Sequence, residues 1–226
     1  MKTILLATAL ILAPAGMACA ADINDASPAA YDWSGLYAGV HFGYVAAKSD
    51  LTVFNYGGGS ADVVTSMDAD GFIGGIHIGF DQEMASRFVL GAEADLAYNN
   101  VEGLTIFAGG VTMLKSELKW SGSARLRAGY AFDRTLPYIT GGVAAAKYEV
   151  TGTTGTDSVQ LHDETHTGWT LGAGVEHAFT DKWIARVEYR YSDFGTQQLS
   201  AADGINTAAD VDLKTHDVRV GLSYKF

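Results

Sequence analysis

Regular alternation of apolar and polar residues restricts the fold of this chain more than any other feature. In the last ten residues, Asp217–Phe226, one parity is apolar and the other polar: Val218, Val220, Leu222, Tyr224 and Phe226 alternate with Asp217, Arg219, Gly221, Ser223 and Lys225. Side chains of a β-strand point to opposite faces in turn, so this pattern indicates a two-faced strand. It recurs along the chain and predicts strands at 35–48, 68–81, 88–99, 115–132, 136–150, 165–179, 183–193 and 214–226.

The connections between these segments alternate in length. Those near Asp81–Arg87, Asp133–Thr135 and Thr180–Lys182 are short, whereas those near 49–67, 100–114, 151–164 and 194–213 are long. Strict alternation with both termini on the short side requires an even number of antiparallel strands. Short periplasmic turns and long extracellular loops are typical of membrane barrels.

The aromatic residues indicate which face is turned outward. Many share the apolar parity and collect at the two sets of strand ends: Phe80, Phe88, Tyr130, Phe132, Tyr138, Phe179, Trp183, Tyr224 and Phe226 at one, and Tyr44, Phe72, Tyr98, Trp120, Tyr148, Trp169 and Tyr191 at the other. Two aromatic belts are what the two interfaces of a membrane select. We therefore predict an all-β, eight-stranded antiparallel up-and-down transmembrane β-barrel. A soluble secreted carrier barrel, with the apolar parity lining a cavity, is the alternative.

The N-terminus predicts export. Lys2, the apolar run Ile4–Ala13 and the small residues before Ala21 indicate a signal peptide at 1–20. A periplasmic linker at 21–34 and a barrel at 35–226 follow, and the expected location is the cell outer membrane. The one cysteine, Cys19, leaves with the signal peptide, so the mature barrel has no disulfide.

The polar parity carries charges near the middle of several strands: Glu93, Asp95, Arg125, Arg127, Arg186, Glu188, Arg190 and Arg219. Folding neighbouring strands together places Glu93 and Asp95 near Arg125, and Glu188 near Arg219. Because eight strands enclose only enough space for side chains, we expect a packed ion-pair network that closes the lumen. A narrow gated pore is the alternative.

Binding chemistry is weakly indicated. His41 and His77 share the inward parity, where lumen packing is the expected role, and His162 and His166 form an H-x-x-x-H pattern in the third predicted loop. The four long loops contain acidic residues but no Lys or Arg, which favours divalent cations or basic partners. The formal net charge of −11 argues against nucleic acid. No residue pattern indicates a catalytic group, a metal site or a cofactor.

Several motifs resemble the small alphaproteobacterial outer-membrane immunogenic proteins, often labelled porin family. The motifs are Trp33–Gly39 (WSGLYAG), Gly71–Gly75 (GFIGG), Leu90–Asp95 (LGAEAD), Arg125–Phe132 (RLRAGYAF), Leu136–Gly142 (LPYITGG), Gly168–Phe179 (GWTLGAGVEHAF) and the C-terminal strand. The resemblance implies a barrel like the membrane domain of OmpA, exposed at the cell surface, with haemin binding reported for some relatives. It also implies that Gly221, Tyr224 and Phe226 form the signal read by the barrel assembly machinery.

The sequence thus predicts a non-enzymatic, structural envelope barrel in contact with outer-membrane lipid and lipopolysaccharide. A surface receptor or adhesin, including one for haemin with His162 and His166 as ligands, and a narrow porin are the alternatives.

Overall fold

Eight antiparallel strands form a closed barrel in the computed structural model. The structure describes residues 31–53, 63–107, 112–154, 157–199 and 209–226. Near the strand ends at the long hairpins it describes only the backbone. The strands are β1 (Gly35–Val53), β2 (Val63–Glu83), β3 (Phe88–Phe107), β4 (Thr112–Tyr130), β5 (Thr135–Thr154), β6 (Asp157–Ala178), β7 (Trp183–Leu199) and β8 (Ala209–Lys225). Each strand pairs with its neighbours in sequence, and β1 pairs with β8 to close the sheet. The predicted eight-stranded up-and-down barrel is confirmed.

The apolar parity faces outward and the charged parity faces inward. Leu126 is 72% exposed and Val187 55%, whereas their neighbours Arg125 and Glu188 are 3% and 1% exposed. A soluble sheet would bury the apolar face and solvate the charges. The opposite arrangement suits a barrel whose outer surface contacts lipid, so the soluble carrier alternative is wrong.

Both aromatic belts lie on the outer surface where the side chains are described, which excludes Tyr148, and one placement needs correction. Phe80, Phe88, Phe132 and Phe179 are exposed near the short turns, and Tyr44, Phe72, Tyr98, Trp120 and Trp169 are exposed near the long-hairpin ends. The placement of Tyr138 in the first belt is wrong, because its side chain is buried inside the barrel. β5 carries apolar residues on both faces, including Leu136 inside and Ile139 outside, so its alternation does not identify the inner face.

The strands continue well beyond the predicted ends on the side of the long hairpins. The third predicted loop, 151–164, is almost entirely paired strand, because β5 ends at Thr154 and β6 begins at Asp157. Thr is frequent there and favours extended backbone. Apolar alternation is weak in this stretch of the sequence, so the alternation did not predict that the strands continue. Register shifts in β3, β4, β6 and β7 fall near this rim of the membrane zone, as β-bulges often do.

The segment predicted as a linker contributes to the barrel at its inner end. Tyr31 and Trp33, the last part of that segment that the structure describes, are 7% and 2% exposed and close the barrel at the short-turn end. Residues 1–30, which hold the predicted signal peptide, lie outside the described residues. Among the described residues there is no helix of the length and apolar character needed to cross a membrane.

Candidate functional site in the barrel lumen

The lumen is filled by three layers of inward-facing side chains. The layer nearest the short turns is apolar and consists of Tyr31, Trp33, Val89, Ala131, Leu136, Ala178 and Ile184. The middle layer is ionic. The layer towards the long hairpins contains a second apolar cluster, in which buried polar side chains such as Asn99, Ser192 and Thr215 are interspersed. The apolar cluster consists of Val45, Ala47, Ile73, Ala97, Ala144, Ala146, Phe194 and Leu213. We refer to these as the inner cap, the ionic layer and the outer cap.

Glu93 is one centre of the ionic layer. Its carboxylate accepts hydrogen bonds from Arg125 Nη2 at 2.5 Å, from Arg186 Nη1 at 3.0 Å and from the Tyr37 hydroxyl at 2.8 Å. Arg127 Nη1 lies 3.7 Å from the same carboxylate. Three guanidinium groups therefore share one buried carboxylate, which is itself 5% exposed.

Glu188 is the second centre. It accepts from Arg125 Nη1 at 2.8 Å, from Arg190 Nη2 at 2.8 Å and from the Tyr138 hydroxyl at 2.7 Å. Arg125 thus bridges the two glutamates across the lumen, from β4 to β3 and from β4 to β7. Charge-assisted hydrogen bonds of this kind are stronger than neutral ones and hold both partners in a fixed geometry.

Asp95 binds three arginines from three strands. Arg190 Nη1 lies 3.1 Å from its carboxylate, and Arg125 and Arg219 each lie 3.4 Å from it. The hydroxyl of Ser123, opposite Asp95 on β4, donates to the same carboxylate. The eight predicted lumen residues are therefore brought together in one connected network.

One predicted pair is confirmed as neighbours in the strand register, although its arginine binds other carboxylates. Glu188 and Arg219 are opposite each other in the β7–β8 register, yet the side chain of Arg219 pairs with Asp217 at 2.5 Å and with Asp95. Arginine side chains are long enough to reach several carboxylates in so narrow a lumen. Arg125 binds Glu93, its neighbour in register, whereas Arg219 binds Asp217 on its own strand and Asp95 on β3.

The sequence prediction missed several members of the layer. Glu176 binds Arg127 Nη2 at 2.7 Å and Arg186 Nε at 3.3 Å, and Asp81 lies 3.6 Å from Arg127. The guanidinium of Arg127 also stacks over the Tyr138 ring at 4.2 Å. Glu176 lies on the same face of β6 as Gly172 and Gly174, opposite the apolar Leu171, Ala173 and Val175. The alternation of β6 therefore indicated that Glu176 points inward.

His41 and His77 lie inside the barrel. The rings of His41 and His77 are 5.7 Å apart, placed diagonally, since the register puts Gly39 opposite His77 and Gly75 opposite His41. His77 Nε2 is 2.8 Å from Ser223 Oγ, and His41 Nε2 is 3.2 Å from Arg219 Nη1. Both histidines are bonded within the lumen packing.

The placement of His162 and His166 on a flexible loop is wrong. Both lie within β6, with His162 opposite Val150 and His166 opposite Ala146. The side chain of His166 is buried inside the barrel at 4% exposure, and the side chain of His162 lies outside the described residues. A strand, unlike a loop, fixes which face each histidine presents.

The inner cap is tied to the short turns by hydrogen bonds. Trp33 Nε1 donates to the carbonyl of Asp133 at 2.9 Å, and the backbone N–H of Trp33 donates to Glu83 Oε2 at 3.0 Å. The ring of Tyr31 packs edge-on against Trp33 at 4.9 Å. Burial raises the pKa of Tyr31 to about 12, so its phenol is neutral at physiological pH.

The residues of the predicted assembly signal lie in the last strand, which ends at the same end of the barrel. Tyr224 and Phe226 point outward with their rings 5.3 Å apart, and the backbone N–H of Phe226 donates to the carbonyl of Leu36. Gly221 lies opposite both His41 on β1 and Arg186 on β7. The side chain of Arg186 fills the space where a Cβ of residue 221 would point, so glycine is required there.

Comparison with known proteins identifies the family. The family model for the outer membrane protein beta-barrel domain matches residues 6–226. The 31 kDa outer-membrane immunogenic protein of Brucella melitensis is 35% identical over 249 residues, covering 100% of both chains. The 25 kDa outer-membrane immunogenic protein of Brucella abortus is 29% identical, covering 100% of this chain and 99% of the relative.

Two further comparisons agree in fold. The 22 kDa outer membrane protein of Rhizobium leguminosarum is 31% identical over 156 residues, covering 69% of this chain and 67% of the relative. The crystal structure of OprG from Pseudomonas aeruginosa superposes with a TM-score of 0.54 at 14% identity, covering 87% of this chain and 98% of OprG. The chain therefore belongs to the outer membrane protein beta-barrel domain family and resides in the cell outer membrane.

Proposed function

We propose that this protein is a non-enzymatic structural barrel whose lumen is sealed against steady flow of ions. The observation that carries the proposal is the filling of the lumen: an ionic layer lies between two apolar caps, and the cavity between the ionic layer and the outer cap measures about 20 Å³. A single water needs roughly 10–15 Å³ of such volume, so this cavity has room for about one. A conducting pore needs a continuous column of water.

The energetics of the ionic layer support a closed lumen. Its arginines and carboxylates are almost fully desolvated, and Glu93, Glu188 and Asp95 are each held by three arginines or by two arginines and a tyrosine. Breaking one buried pair by removing a partner typically costs about 3–5 kcal/mol, because the remaining charge is left uncompensated. An opening wide enough for hydrated ions must separate several such pairs at once. We infer that the layer fixes the register and shape of the barrel, which suits a role in envelope integrity.

Planar-bilayer recording tests the sealed lumen. The purified wild-type protein should show no steady conductance, because neither the caps nor the ionic layer leave a water-filled path. A Trp33→Ala, Glu188→Ala, Phe194→Ala triple variant, which removes one large side chain from each of the three layers, serves as the control that the assay detects an opened lumen. Steady, large conductance from wild type would contradict the proposal and favour the narrow porin.

We also propose that the C-terminal strand is read by the barrel assembly machinery through Gly221, Tyr224 and Phe226. Phe226 is 72% exposed at the periplasmic end, where it makes few contacts that folding requires. Phe226→Ala should therefore lower the amount of protein in the outer membrane severalfold while leaving refolding into detergent unchanged. Phe88→Ala, an equally placed lipid-facing ring, is the matched control. Equal outer-membrane levels for both variants would remove Phe226 from the signal.

The projecting hairpins form the surface-exposed part of the protein under this proposal. Their predicted loop ranges contain Asp50, Asp62, Glu102, Asp157, Asp163, Glu164, Asp203, Asp210 and Asp212 but no Lys or Arg. Such a surface repels polyanions and attracts divalent cations. It also disfavours the propionate groups of haemin, which weakens the receptor alternative.

A further inference from the structure

The outer end of the barrel wall is split along two seams. β6 pairs with β7 only over Trp169–Ala178, and its outer part, Asp157–Gly168, pairs with β5 alone. β2 and β3 likewise pair only as far as Asp70 and Glu102. All other neighbouring strands stay paired up to their outer ends. In the part of the chain that the structure describes, the barrel therefore opens above these points into two four-stranded sheets, one of β3 to β6 and the other of β7, β8, β1 and β2.

The seam between β6 and β7 begins at a bulge in β7. The register of β7 with β8 shifts between Asp193 and Thr196. Between them, Gly195 has a φ of 70°, in the left-handed region that favours glycine, and its N–H donates to Asp193 Oδ1 at 2.9 Å. A bulge of this kind bends the strand that carries it. The last pair between β6 and β7 joins Trp169 to Asp193, so the two strands part where β7 bends.

Of the four edges that these seams leave free in the described part of the chain, that of β6 is the longest. The edges are Val63–Ala69 in β2, Gly103–Phe107 in β3, Asp157–Gly168 in β6 and Phe194–Leu199 in β7. The ring of Trp169, directly below the edge of β6, is 51% exposed in the outer aromatic belt. Because such belts mark the membrane interface, the edge of β6 lies in water beyond the lipid.

The hydrogen bonds show which groups of β6 face the open side. The carbonyl of Tyr191 accepts a hydrogen bond from Thr170 Oγ1 at 3.0 Å, so it points from β7 towards β6. Tyr191 and its partner Leu171 are therefore a pair that exchanges backbone hydrogen bonds. Successive residues of a strand turn their N–H and C=O groups to opposite sides. Thr165 shares the outward parity of Leu171, so its N–H and C=O point to the open side.

The composition of this edge selects the partner. A long free edge is a template for another strand, and proteins commonly protect such edges with lysine or proline. Asp157–Gly168 contains neither, and its acidic residues, Asp157, Asp163 and Glu164, are not balanced by arginine. Like charges opposite each other destabilise a sheet, whereas opposite charges stabilise it. The edge therefore favours a strand that is rich in lysine or arginine.

A second copy of this chain does not fit the edge. Two barrels in one membrane have the same orientation and are related by a rotation about the membrane normal. With strands tilted by about 40°, the β6 strands of two such copies would cross at about 80° and could not form a ladder. Pairing would also bring acidic residues against acidic residues. The partner is therefore a different protein.

We propose that the free edge of β6 binds an extended, basic segment of another protein, which adds to the sheet as a further strand. Backbone hydrogen bonds to groups such as those of Thr165 supply the attachment, and the acidic residues favour a basic sequence. The site lies above the membrane and outside the lumen, so it does not depend on the sealed-barrel proposal. It gives the protein a binding role at the cell surface in addition to its structural one.

Hydrogen exchange followed by NMR, with the protein folded in zwitterionic detergent, tests whether the edge is free. The amide of Thr165 should exchange rapidly in the protein alone, because no strand of the described chain faces it. The amide of His166, which is turned towards Ala146 on β5, should exchange more slowly. Slow exchange of Thr165 in the protein alone would show that the chain covers its own edge and would overturn the proposal.

Fluorescence anisotropy of a labelled peptide tests the binding itself. The probe is an alternating lysine–valine peptide of about ten residues, which matches the length of the edge. It should bind wild type and slow the exchange of the Thr165 amide. The same peptide with N-methyl groups along both of its edges, and an alternating glutamate–valine peptide, should each bind about tenfold more weakly. The first loses its ladder hydrogen bonds, and the second loses its charge attraction.

Substitutions in the edge test the same contacts from the side of the protein. Thr165→Pro removes an N–H from the free edge and leaves the β5 side of β6 intact, a change that edge strands tolerate. It should bind the lysine–valine peptide about tenfold more weakly, whereas Thr165→Val retains the N–H and should bind as wild type does. Asp163→Asn with Glu164→Gln should bind severalfold more weakly at low salt. Heat-dependent gel mobility verifies that each variant is folded.

A matched variant separates the edge from general attraction to an acidic surface. Asp50→Asn with Glu117→Gln removes the same charge from β1 and β4, which are paired on both sides at these residues, and should not change binding. An equal loss in this variant, or wild-type affinity in a folded Thr165→Pro variant, would contradict the proposal. Binding of the N-methylated peptide as tightly as its parent would contradict it as well.

Discussion

Replacing Glu93 by glutamine should destabilise the folded barrel by roughly 3–5 kcal/mol. Glutamine nearly preserves the volume of glutamate, so packing alone predicts little change. The loss arises from charge, since Arg125, Arg186 and Arg127 all face this carboxylate and none of them is exposed to water. With a neutral amide in its place, three positive charges lie close together without their shared counter-ion.

The effect is measured by denaturant unfolding in detergent, with the heat-dependent shift in gel mobility as a second readout. Asp181→Asn is the matched control, because Asp181 pairs with Arg134 at 2.6 Å where the two side chains are 84% and 39% exposed. Exposed ion pairs contribute little to stability, so this variant should unfold at the same denaturant concentration as wild type.

A double variant distinguishes the loss of a counter-ion from a general effect of substitution. Adding Arg186→Met to Glu93→Gln removes one of the uncompensated charges, so the double variant should be more stable than the sum of the two single losses predicts. Additive losses, or a Glu93→Gln variant as stable as Asp181→Asn, would contradict the role assigned to the network.

Sequence predicted the position of these charges because a barrel leaves few choices. Consecutive strands pair with each other, and alternation fixes the face, so Glu93 was expected beside Arg125 although a long hairpin joins β3 and β4. Glu93 lies directly opposite Arg125 in the register. The same reasoning placed Glu188 opposite Arg219 correctly in register. It could not predict which carboxylate each arginine binds, because that depends on reach across the closed barrel.

Sequence was least informative where both parities of a strand are apolar. In β5, Leu136 and Tyr138 point inward while Ile139 and Val143 point outward, so a rule that sends apolar residues to lipid fails for Tyr138. The two caps were missed for the same reason. Val89, Ile184 and Phe194 are apolar residues on the inward face, where the prediction expected charges.

The caps give the ionic layer its low exposure to water. Spanning a membrane does not require an apolar lumen. The caps instead keep water away from the ion pairs, which are then screened less. The inner cap depends on a segment before the first strand, which sequence composition indicated only as a linker. Its aromatic residues, Tyr31 and Trp33, were the available signal, since exposed linkers seldom need two large rings within three residues.

Trp33→Ala should destabilise the barrel by about 3–5 kcal/mol, the range found when a buried tryptophan or phenylalanine is truncated to alanine. Trp33 is 2% exposed, it packs against Tyr31, and it holds the turn after β4 through the carbonyl of Asp133. Its removal leaves a cavity at the periplasmic mouth and releases the segment before β1. Unfolding is followed by circular dichroism, because the change removes a fluorescent residue.

Two variants separate packing from the hydrogen bond at this position. Trp33→Phe keeps an aromatic ring but loses the Nε1 donor. Loss of the hydrogen bond should lower the free energy of unfolding by about 1 kcal/mol, and the smaller ring should lower it further. Trp183→Ala removes an aromatic side chain that is 41% exposed to lipid at the same end and should destabilise the barrel far less. The Trp33→Ala variant should still conduct no steady current, because the ionic layer beneath the cap is intact. Steady current from this variant alone would show that the inner cap, and not the ionic layer, seals the lumen. Stability equal to that of wild type would show that residues 31–34 are only a linker.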